Sequence, residues 1–551
     1  MNEKFQNYMQ SHVPKGADYF IDQYRDNATP LPYIEGLEDA VNIVNGNLAN
    51  TEITVYTDYD TDGILSGGII TKLLLFVMDN MRNVTDQTPS TVRLVIPDRI
   101  TDGYGFNVAQ AASMRNGLII LTDNGITSND AILTAKANNN TVIVLDHHLG
   151  DKSTCPADAV VDPNAESPQT SQFCEYCAAG LAYRFARAYL DQDWVKEACD
   201  QEQITNALDE FLFLAAIATV SDCVPVINEN RVIIIEGLTH IPSYWEGAMR
   251  EICEIQDSCM ITEETISYKV SPTLNAPGRM RTLTNEEVYR FILDGEEERC
   301  RIALKFKEDN NKRKEATDQG LLIAMHSMDA GKPMFVLQDD RIYQGVTGII
   351  AGILRDQYNK PGFVFGKAQN GTIVGSGRSD DVNLKDMLDY VNQADPSILV
   401  RYGGHKNAAG CTIRKDAFGR FSKLCCDYYE QHKPETTEAN TLYELDENEN
   451  WGEIYDIMRA YAPFGTGNPA PVLRCTIQPI SGISPTMGQG GQDVRLNDKF
   501  GHKVVGFKKA YLLDPTACKY IVTGTLNANN YHGGAEMQFV ASDIQPVCNA
   551  D

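Results

Sequence analysis

Four patches of aspartate and histidine, most of them placed directly after a short apolar run, constrain the fold of this chain more than any other feature. They are Asp58-Tyr59-Asp60-Thr61-Asp62-Gly63, Asp123-Asn124-Gly125, Asp146-His147-His148 and Asp222, with Asp162 as a weaker fifth member. Residues 53–56, 118–121 and 142–145 form the apolar runs before the first three. Each run gives way to glycine or polar residues and then to a helical pattern, which reads as parallel strands of an α/β sheet. Open α/β sheets take ligands outside the carboxyl ends of their strands. Side chains placed just past successive strands therefore converge, and the patches predict one metal site.

Other properties narrow the class. At 551 residues the chain is long enough for two to four domains, at roughly 100–200 residues each. No apolar run approaches the ~20 residues of a membrane span, and the start, Met1-Asn2-Glu3-Lys4-Phe5, lacks the apolar core of a secretory signal. The 14 cysteines are scattered, which predicts reduced thiols in a cytoplasm and no disulfide framework. A formal net charge of −27 excludes a general nucleic-acid coat. It does not exclude a nucleic-acid enzyme, because a groove needs only local Lys and Arg and bound cations offset site carboxylates.

Periodicity divides the chain. Residues 1–45 read as a polar helical segment, and 46–285 alternate strand-like and helix-like stretches, as a doubly wound sheet does. Residues 286–328 are charged and free of proline, and predict a bridging helix centred on about 296–327. An α/β pattern resumes over 329–432, and 433–450 read as a linker rich in Glu, Thr and Asn. Residues 451–551 carry short alternating strands with glycine turns, at 494–496, 504–507, 520–524 and 537–541. They suggest a small β-barrel of the OB type.

Asp58, Asp60 and Asp62 alternate, so in an extended segment they share one side. Three carboxylates on one face repel strongly, and divalent cations relieve that repulsion. Carboxylates with histidines suit Mn²⁺ or Mg²⁺, and two ions together serve phosphoester hydrolysis. The plainer readings fail in combination. A calcium loop counted from Asp58 would need Glu at its twelfth position, which is Ile69. Adjacent histidines alone are most often a surface pair, but these follow a strand. Cys174-Glu175-Tyr176-Cys177 lacks a second pair for a zinc site and reads as two ordinary cysteines on a helix.

The Asp146-His147-His148 patch with its preceding strand resembles the signature of the DHH phosphoesterase superfamily. Asp58 to Gly63 resembles its first motif, Thr122-Asp123-Asn124-Gly125 its second and Ala218-Thr219-Val220-Ser221-Asp222 its fourth. Further stretches are similar to the RecJ branch. They are Ile96-Pro97-Asp98-Arg99 with Gly103-Tyr104-Gly105, Leu274-Asn275-Ala276-Pro277-Gly278-Arg279-Met280, Gly345-Val346-Thr347-Gly348-Ile349 and Gly377-Arg378-Ser379. Gly403-Gly404-His405-Lys406-Asn407-Ala408-Ala409-Gly410 and Pro463-Phe464-Gly465-Thr466-Gly467-Asn468-Pro469 complete the set. The resemblance implies a 5′→3′ exonuclease on single-stranded DNA, working with two Mn²⁺ or Mg²⁺ ions in repair, recombination or replication.

By motif position it implies that Asp60, Asp62, Asp123, His147, His148 and Asp222 hold the ions. Asp58 would be a further ligand, and Asp146 would orient a histidine through its other ring nitrogen. Arg99, Asn275, Arg279, Gly377, Arg378, Ser379, Gly404 and His405 are the candidate substrate contacts, expected along a channel between the first two domains. Barrel aromatics Phe464, Phe507, Tyr511 and Tyr531 are candidates for base stacking. The chain departs from its relatives at Tyr56, where some carry His, and at Ile342-Tyr343, where many carry Trp-His. The expected protein is a monomer, with single-strand-binding protein or a helicase as candidate partners and no membrane. Two alternatives stand beside the nuclease: a DHH phosphodiesterase for short oligonucleotides or cyclic dinucleotides, and a non-catalytic replication scaffold.

Overall fold

The computed structural model describes residues 2–12, 31–81, 89–98, 103, 105–254, 261–329, 331–367, 371–433, 442–480, 484–488, 491–529 and 536–548. The chain divides into two units, Met1–Ser271 with Thr284–Ala303 and Asn440–Asp551, and Pro272–Leu283 with Leu304–Ala439.

Helices α1 (Glu3–His12) and α2 (Leu37–Asn45) precede the first sheet. That sheet holds β1 (Glu52–Tyr56), β2 (Thr91–Val95), β3 (Leu118–Thr122), β4 (Thr141–Leu145) and β5 (Ala159–Val161). All pairs are parallel, in the order β2-β1-β3-β4-β5. Every residue of β3 is buried, as a parallel strand covered on both faces requires. The chain leaves β1 first to one side and then to the other. This order places the ligand crevice at the carboxyl ends of β1 and β3.

Three helices frame that crevice: α3 (Thr61–Met81), α4 (Ala178–Leu190) and α5 (Gln201–Ser221). Helices α3 and α5 have the length and apolar composition of a membrane span, contrary to the expectation that no stretch approaches it. Their apolar surface is instead taken up by the fold, which buries 83% and 61% of the respective windows.

The expected bridging helix is α6 (Glu296–Ser327), and the unit boundary falls within it. The charged stretch is not one helix throughout: Asn285–Leu293 is a separate helix, and Gly295 follows its end, where a helix interior is disfavoured.

In the second unit, β6 (Phe335–Gln338), β7 (Gly362–Phe365), β8 (Thr372–Arg378), β9 (Leu399–Gly404) and β10 (Ala408–Arg414) form a mixed sheet ordered β6-β7-β8-β10-β9. Alternation along β7 sends Val364 to one core, with Ile350 and Leu354 of α7 (Thr347–Tyr358). Phe363 and Phe365 go to the other, with Leu388 of α8 (Leu384–Ala394) and Phe421 of α9 (Phe418–His432).

The C-terminal sheet runs β11-β12-β16-β17-β15-β14-β13. Its members are β11 (Tyr443–Glu444), β12 (Leu473–Ile477), β13 (Thr486–Met487), β14 (Asp493–Asn497), β15 (Lys503–Gly506), β16 (Lys519–Asn529) and β17 (Glu536–Val547). Together with α10 (Trp451–Arg459) the strands enclose one core. Two expectations change here. Residues 1–45 are not one segment. Phe5 and Met9 of α1 belong to the C-terminal core, with Phe5 edge-on to Tyr443 at 4.8 Å, whereas α2 packs on β5 and α4. A helix with one short apolar stripe cannot bury itself and takes the nearest open core. The expected linker also contributes β11, because Tyr443 is buried.

Candidate metal centre

Beyond β1 the chain turns sharply into α3. Only glycine fits at position 63, because a Cβ there would lie 2.6 Å from the Asp58 carbonyl oxygen. The Gly63 amide donates to Asp60 Oδ1 at 3.1 Å, closing the turn. Asp58 and Asp60 thus lie in the bend between β1 and α3, and Asp62 lies in the first turn of α3. Its carboxylate points elsewhere, and the expectation that all three share one face holds only for Asp58 and Asp60. Asp62 is buried, and the amides of Ala178 and Ala179 donate to its two oxygens at 2.7 and 2.8 Å.

Asp123 follows β3 with φ +60, a left-handed conformation that is uncommon for non-glycine residues but that aspartate tolerates. Its amide donates to the Leu145 carbonyl at 3.0 Å. Asp146 follows β4 and is the structural member. Its Oδ1 accepts from His147 N at 2.8 Å, His148 N at 3.3 Å and His148 Nδ1 at 2.7 Å, and its Oδ2 accepts from Ile126 N at 3.0 Å. This leaves His148 Nε2 as the nitrogen for a ligand. His147 Nε2 lies 3.2 Å from Asp123 and 3.6 Å from Asp62, and its Nδ1 lies 3.7 Å from Asp222. Asp222 ends α5 as its C-cap.

The ligand atoms fall into three groups, each within 4.8 Å: Asp58 with Asp60 and Asp123, Asp123 with His147 and His148, and Asp62 with His147 and Asp222. Asp123 and His147 each belong to two groups, so the three are one cluster. Asp162 stands outside them. It is buried at the head of a short 3-10 turn, where its Oδ1 accepts from Asn164 N at 3.0 Å and Ala165 N at 3.2 Å. The sequence offered it as a weaker member of the set; here it is a cap, and Asn164 in turn donates to the His147 carbonyl at 2.7 Å.

The electrostatics differ from one member of the site to the next. Burial, then the charges of Asp60, Asp62, Asp58 and Asp222, hold the Asp123 carboxyl well above the usual range. Burial and the charges of Asp62 and Asp60 do the same to Asp222. Burial and Asp60 raise Asp62 to about 6 against the pull of the two amides. Burial also works against ionisation of Asp146, yet the hydrogen bond and charge of His148 carry it down to about 2. Burial disfavours charge on His148, but Asp146, Asp222 and Asp60 outweigh it and raise the ring to about 9. Burial and the Asp146 charge raise Asp162 to about 8. A cluster of repelling carboxylates with imidazole nitrogens fits hard divalent cations of the Mn²⁺ or Mg²⁺ kind, which compete with protons for these atoms.

Of the remaining candidates, Asn275, Arg279, Gly377, Arg378, Ser379, Gly404 and His405 lie in the second unit. Asn275 precedes the short helix Ala276–Met280. Arg279 is half-buried, and its carbonyl accepts from Tyr343 Oη at 3.2 Å, so Tyr343 of the departing Ile342-Tyr343 pair braces that helix. A Cβ at Gly377 would meet the Phe363 ring at 2.5 Å. Arg378 donates to the Gly377 carbonyl at 2.7 Å. Gly404 has φ +135, and the adjacent exposed His405 donates its amide to Ala408 O at 2.8 Å. Ser379 does not offer its hydroxyl outward as expected: it is fully buried, donates to Asp381 Oδ1 at 3.0 Å and accepts from Val382 N at 2.9 Å. Arg99 and Tyr531 lie outside the described residues. Phe464 packs partly buried against the C-terminal core, while Phe507 and Tyr511 are each 59% exposed. Sequence reasoning missed Cys177, which is the N-cap of α4 and not a residue within it.

Known proteins share this architecture. Residues 52–218 match the family model of the DHH family N-terminal domain, 331–431 the DHHA1 domain and 441–543 the RecJ OB domain. The single-stranded-DNA-specific exonuclease RecJ of Escherichia coli K12 is 28% identical over 472 residues, covering 81% of this chain and 78% of that protein. A crystal structure of RecJ with Mn²⁺ from Thermus thermophilus superposes with TM-score 0.75 at 24% identity, over 95% of this chain and 73% of the other. A structure of exonuclease RecJ bound to manganese aligns with TM-score 0.59 at 25% identity, over 73% of this chain and 97% of that one. With the three domain matches in this order along the sequence, the chain belongs to the DHH phosphoesterase superfamily and to its RecJ branch.

Proposed function

We propose that this protein is a metal-dependent exonuclease that hydrolyses phosphodiester bonds of single-stranded DNA from the 5′ end, with two Mn²⁺ or Mg²⁺ ions as cofactors. The carrying observation is the shared cluster: Asp123 belongs to the groups of Asp58 with Asp60 and of His147 with His148, and His147 joins these to Asp62 and Asp222, so the set could hold a pair of neighbouring ions with the Asp123 carboxylate common to both. When bound, the ions would activate a water and neutralise charge on the phosphate and the leaving oxygen. The protein's own groups prepare that chemistry. The α4 amides fix the Asp62 oxygens, and Asp146 fixes the His148 ring with Nε2 turned to the ligand side.

In the second unit, Arg279, Arg378 and the exposed Gly404-His405 turn are assigned to strand phosphates. Phe507 and Tyr511 are assigned to bases, since stacking tolerates any sequence. The RecJ OB match at 441–543 favours a long strand over a dinucleotide. A cytoplasmic location suits the thiol form of the described cysteines. A monomer acting in repair, recombination or replication, beside single-strand-binding protein or a helicase, completes the proposal.

The test is a single-stranded oligonucleotide labelled at its 3′ end, incubated with Mn²⁺ and either wild type or Asp123→Asn. Expected is a descending ladder from the wild type alone. An intact strand with both proteins, despite tight binding, would replace the nuclease reading with the scaffold.

A further inference from the structure

Helix α4 carries no metal ligand, yet both oxygens of Asp62 rest on it. Its first residues, Ala178, Ala179 and Gly180, are fully buried. What holds that end of the helix is Cys177. The Cys177 backbone is extended, and its sulfur accepts from the Gly180 amide at 3.4 Å. Side-chain oxygens of Ser, Thr, Asn or Asp usually do this work, so a thiol here calls for a reason. The other face of the sulfur supplies one: it lies 3.5 Å from Thr219 Oγ1. Thr219 is three residues before Asp222 on the last turn of α5, and its hydroxyl donates to the Ala215 carbonyl at 2.7 Å. The Thr219 hydroxyl proton is already given to Ala215, so in the pair with Thr219 the thiol is the donor.

We propose that Cys177 is a positioning residue for the metal centre, locking the α4 amides onto Asp62 and tying that helix to the α5 turn that ends in Asp222. The inference rests on the metal reading above. Cys177 acts through its hydrogen bonds and not as a ligand: its sulfur is engaged by the Gly180 amide and Thr219 and belongs to none of the three ligand groups. The sulfur joins two helices directly, α4 through its cap and α5 through Thr219, and the capped α4 amides in turn hold Asp62 of α3. Losing it frees the first turn of α4 to slide off Asp62.

The experiment is a Mn²⁺ titration of the full-length protein by electron paramagnetic resonance, which reads ion binding without substrate. It compares wild type with Cys177→Ala, Cys177→Ser and Thr219→Val. Groups that orient metal ligands typically contribute about 10–100-fold in affinity. Cys177→Ala is expected to weaken Mn²⁺ binding about tenfold and to raise the Mn²⁺ needed for cleavage in parallel, leaving the KM for the strand unchanged. Cys177→Ser keeps a capping acceptor and a proton and restores most of the affinity. Thr219→Val falls between. Wild-type affinity in Cys177→Ala, or an equal loss in Ala and Ser variants, would overturn the inference while leaving the metal centre intact. If Cys177→Ala does not fold, Thr219→Val decides, and wild-type Mn²⁺ affinity there would overturn the inference. A wild type that takes up no Mn²⁺ would overturn the metal reading, and this inference with it.

Discussion

The ends of β3 and β4 make a controlled comparison. Each neighbouring strand delivers one aspartate into the same crevice, and both side chains are buried. Asp146 meets two backbone amides of its own patch, the Ile126 amide and the His148 ring. Asp123 meets four other carboxylates. One is held well below the usual carboxylate range and the other well above it. Strand-end placement alone therefore does not make an aspartate a ligand; what surrounds it decides. Asp146 finds its counter-charge in His148, whereas Asp123 is left with a repulsion that a proton or a bound cation relieves.

The comparison breaks first at Asp123. Asp123→Asn should lower cleavage by about a thousandfold or more, since an ion's transition-state stabilisation is worth several kcal/mol. The same change removes repulsion, so the metal-free variant should melt a few degrees above the wild type. Asp146→Asn should differ in sign. Mn²⁺ affinity should fall about 10–100-fold, and the metal-free Tm should drop as well, because its buried hydrogen-bonding partners lose their acceptor.

Acid titration sharpens the contrast. Asp146 has a folded pKa of about 2, below its unfolded value, so its stabilisation is present above pH ~4 and is lost as pH falls through about 2. That contribution is about 2 kcal/mol. Asp62 has a folded pKa of about 6, above its unfolded value. It costs the metal-free protein stability as pH rises from ~4 through about 6. Melting curves of metal-free wild type, Asp146→Asn and Asp62→Asn across this range should show opposite slopes removed by the two substitutions. The smallest effect belongs to Asp162→Asn. A carboxyl raised to about 8 is already protonated at neutral pH, and Asn caps a turn as well as Asp. Mn²⁺ affinity should match the wild type, and the Tm should move by no more than a degree or two.

Much of this centre is readable from the sequence, for a physical reason. A parallel sheet needs continuous apolar strands, and its ligands sit one step beyond them, so 118–121 followed by Asp123 and 142–145 followed by Asp146 mark the crevice without any structure. The long charged helix α6 is legible in the same way, from the absence of proline and long apolar runs. What escapes depends on contacts far apart in the chain. That Asp62 begins a helix, and that the helix starting 116 residues later holds its carboxylate, has no periodic signature. Nor does the docking of α1, whose Phe5 joins a core formed beyond residue 440. Ser379 follows an arginine in a motif that resembles a phosphate grip, but the turn after β8 rotates its hydroxyl onto Asp381. Asp162 copies the strand-end placement of Asp123 and Asp146 and is turned to capping its own 3-10 turn.

The central claim is that one cluster built on the ends of β1, β3 and β4 and on Asp222 holds the ions. Anomalous scattering at the manganese edge from crystals of the protein grown with Mn²⁺ tests it most directly. The account predicts two peaks roughly 4 Å apart, with Asp123 between them and no density on Asp146 or Asp162. A single peak away from Asp123 and His147, or no peak at saturating Mn²⁺, would contradict it.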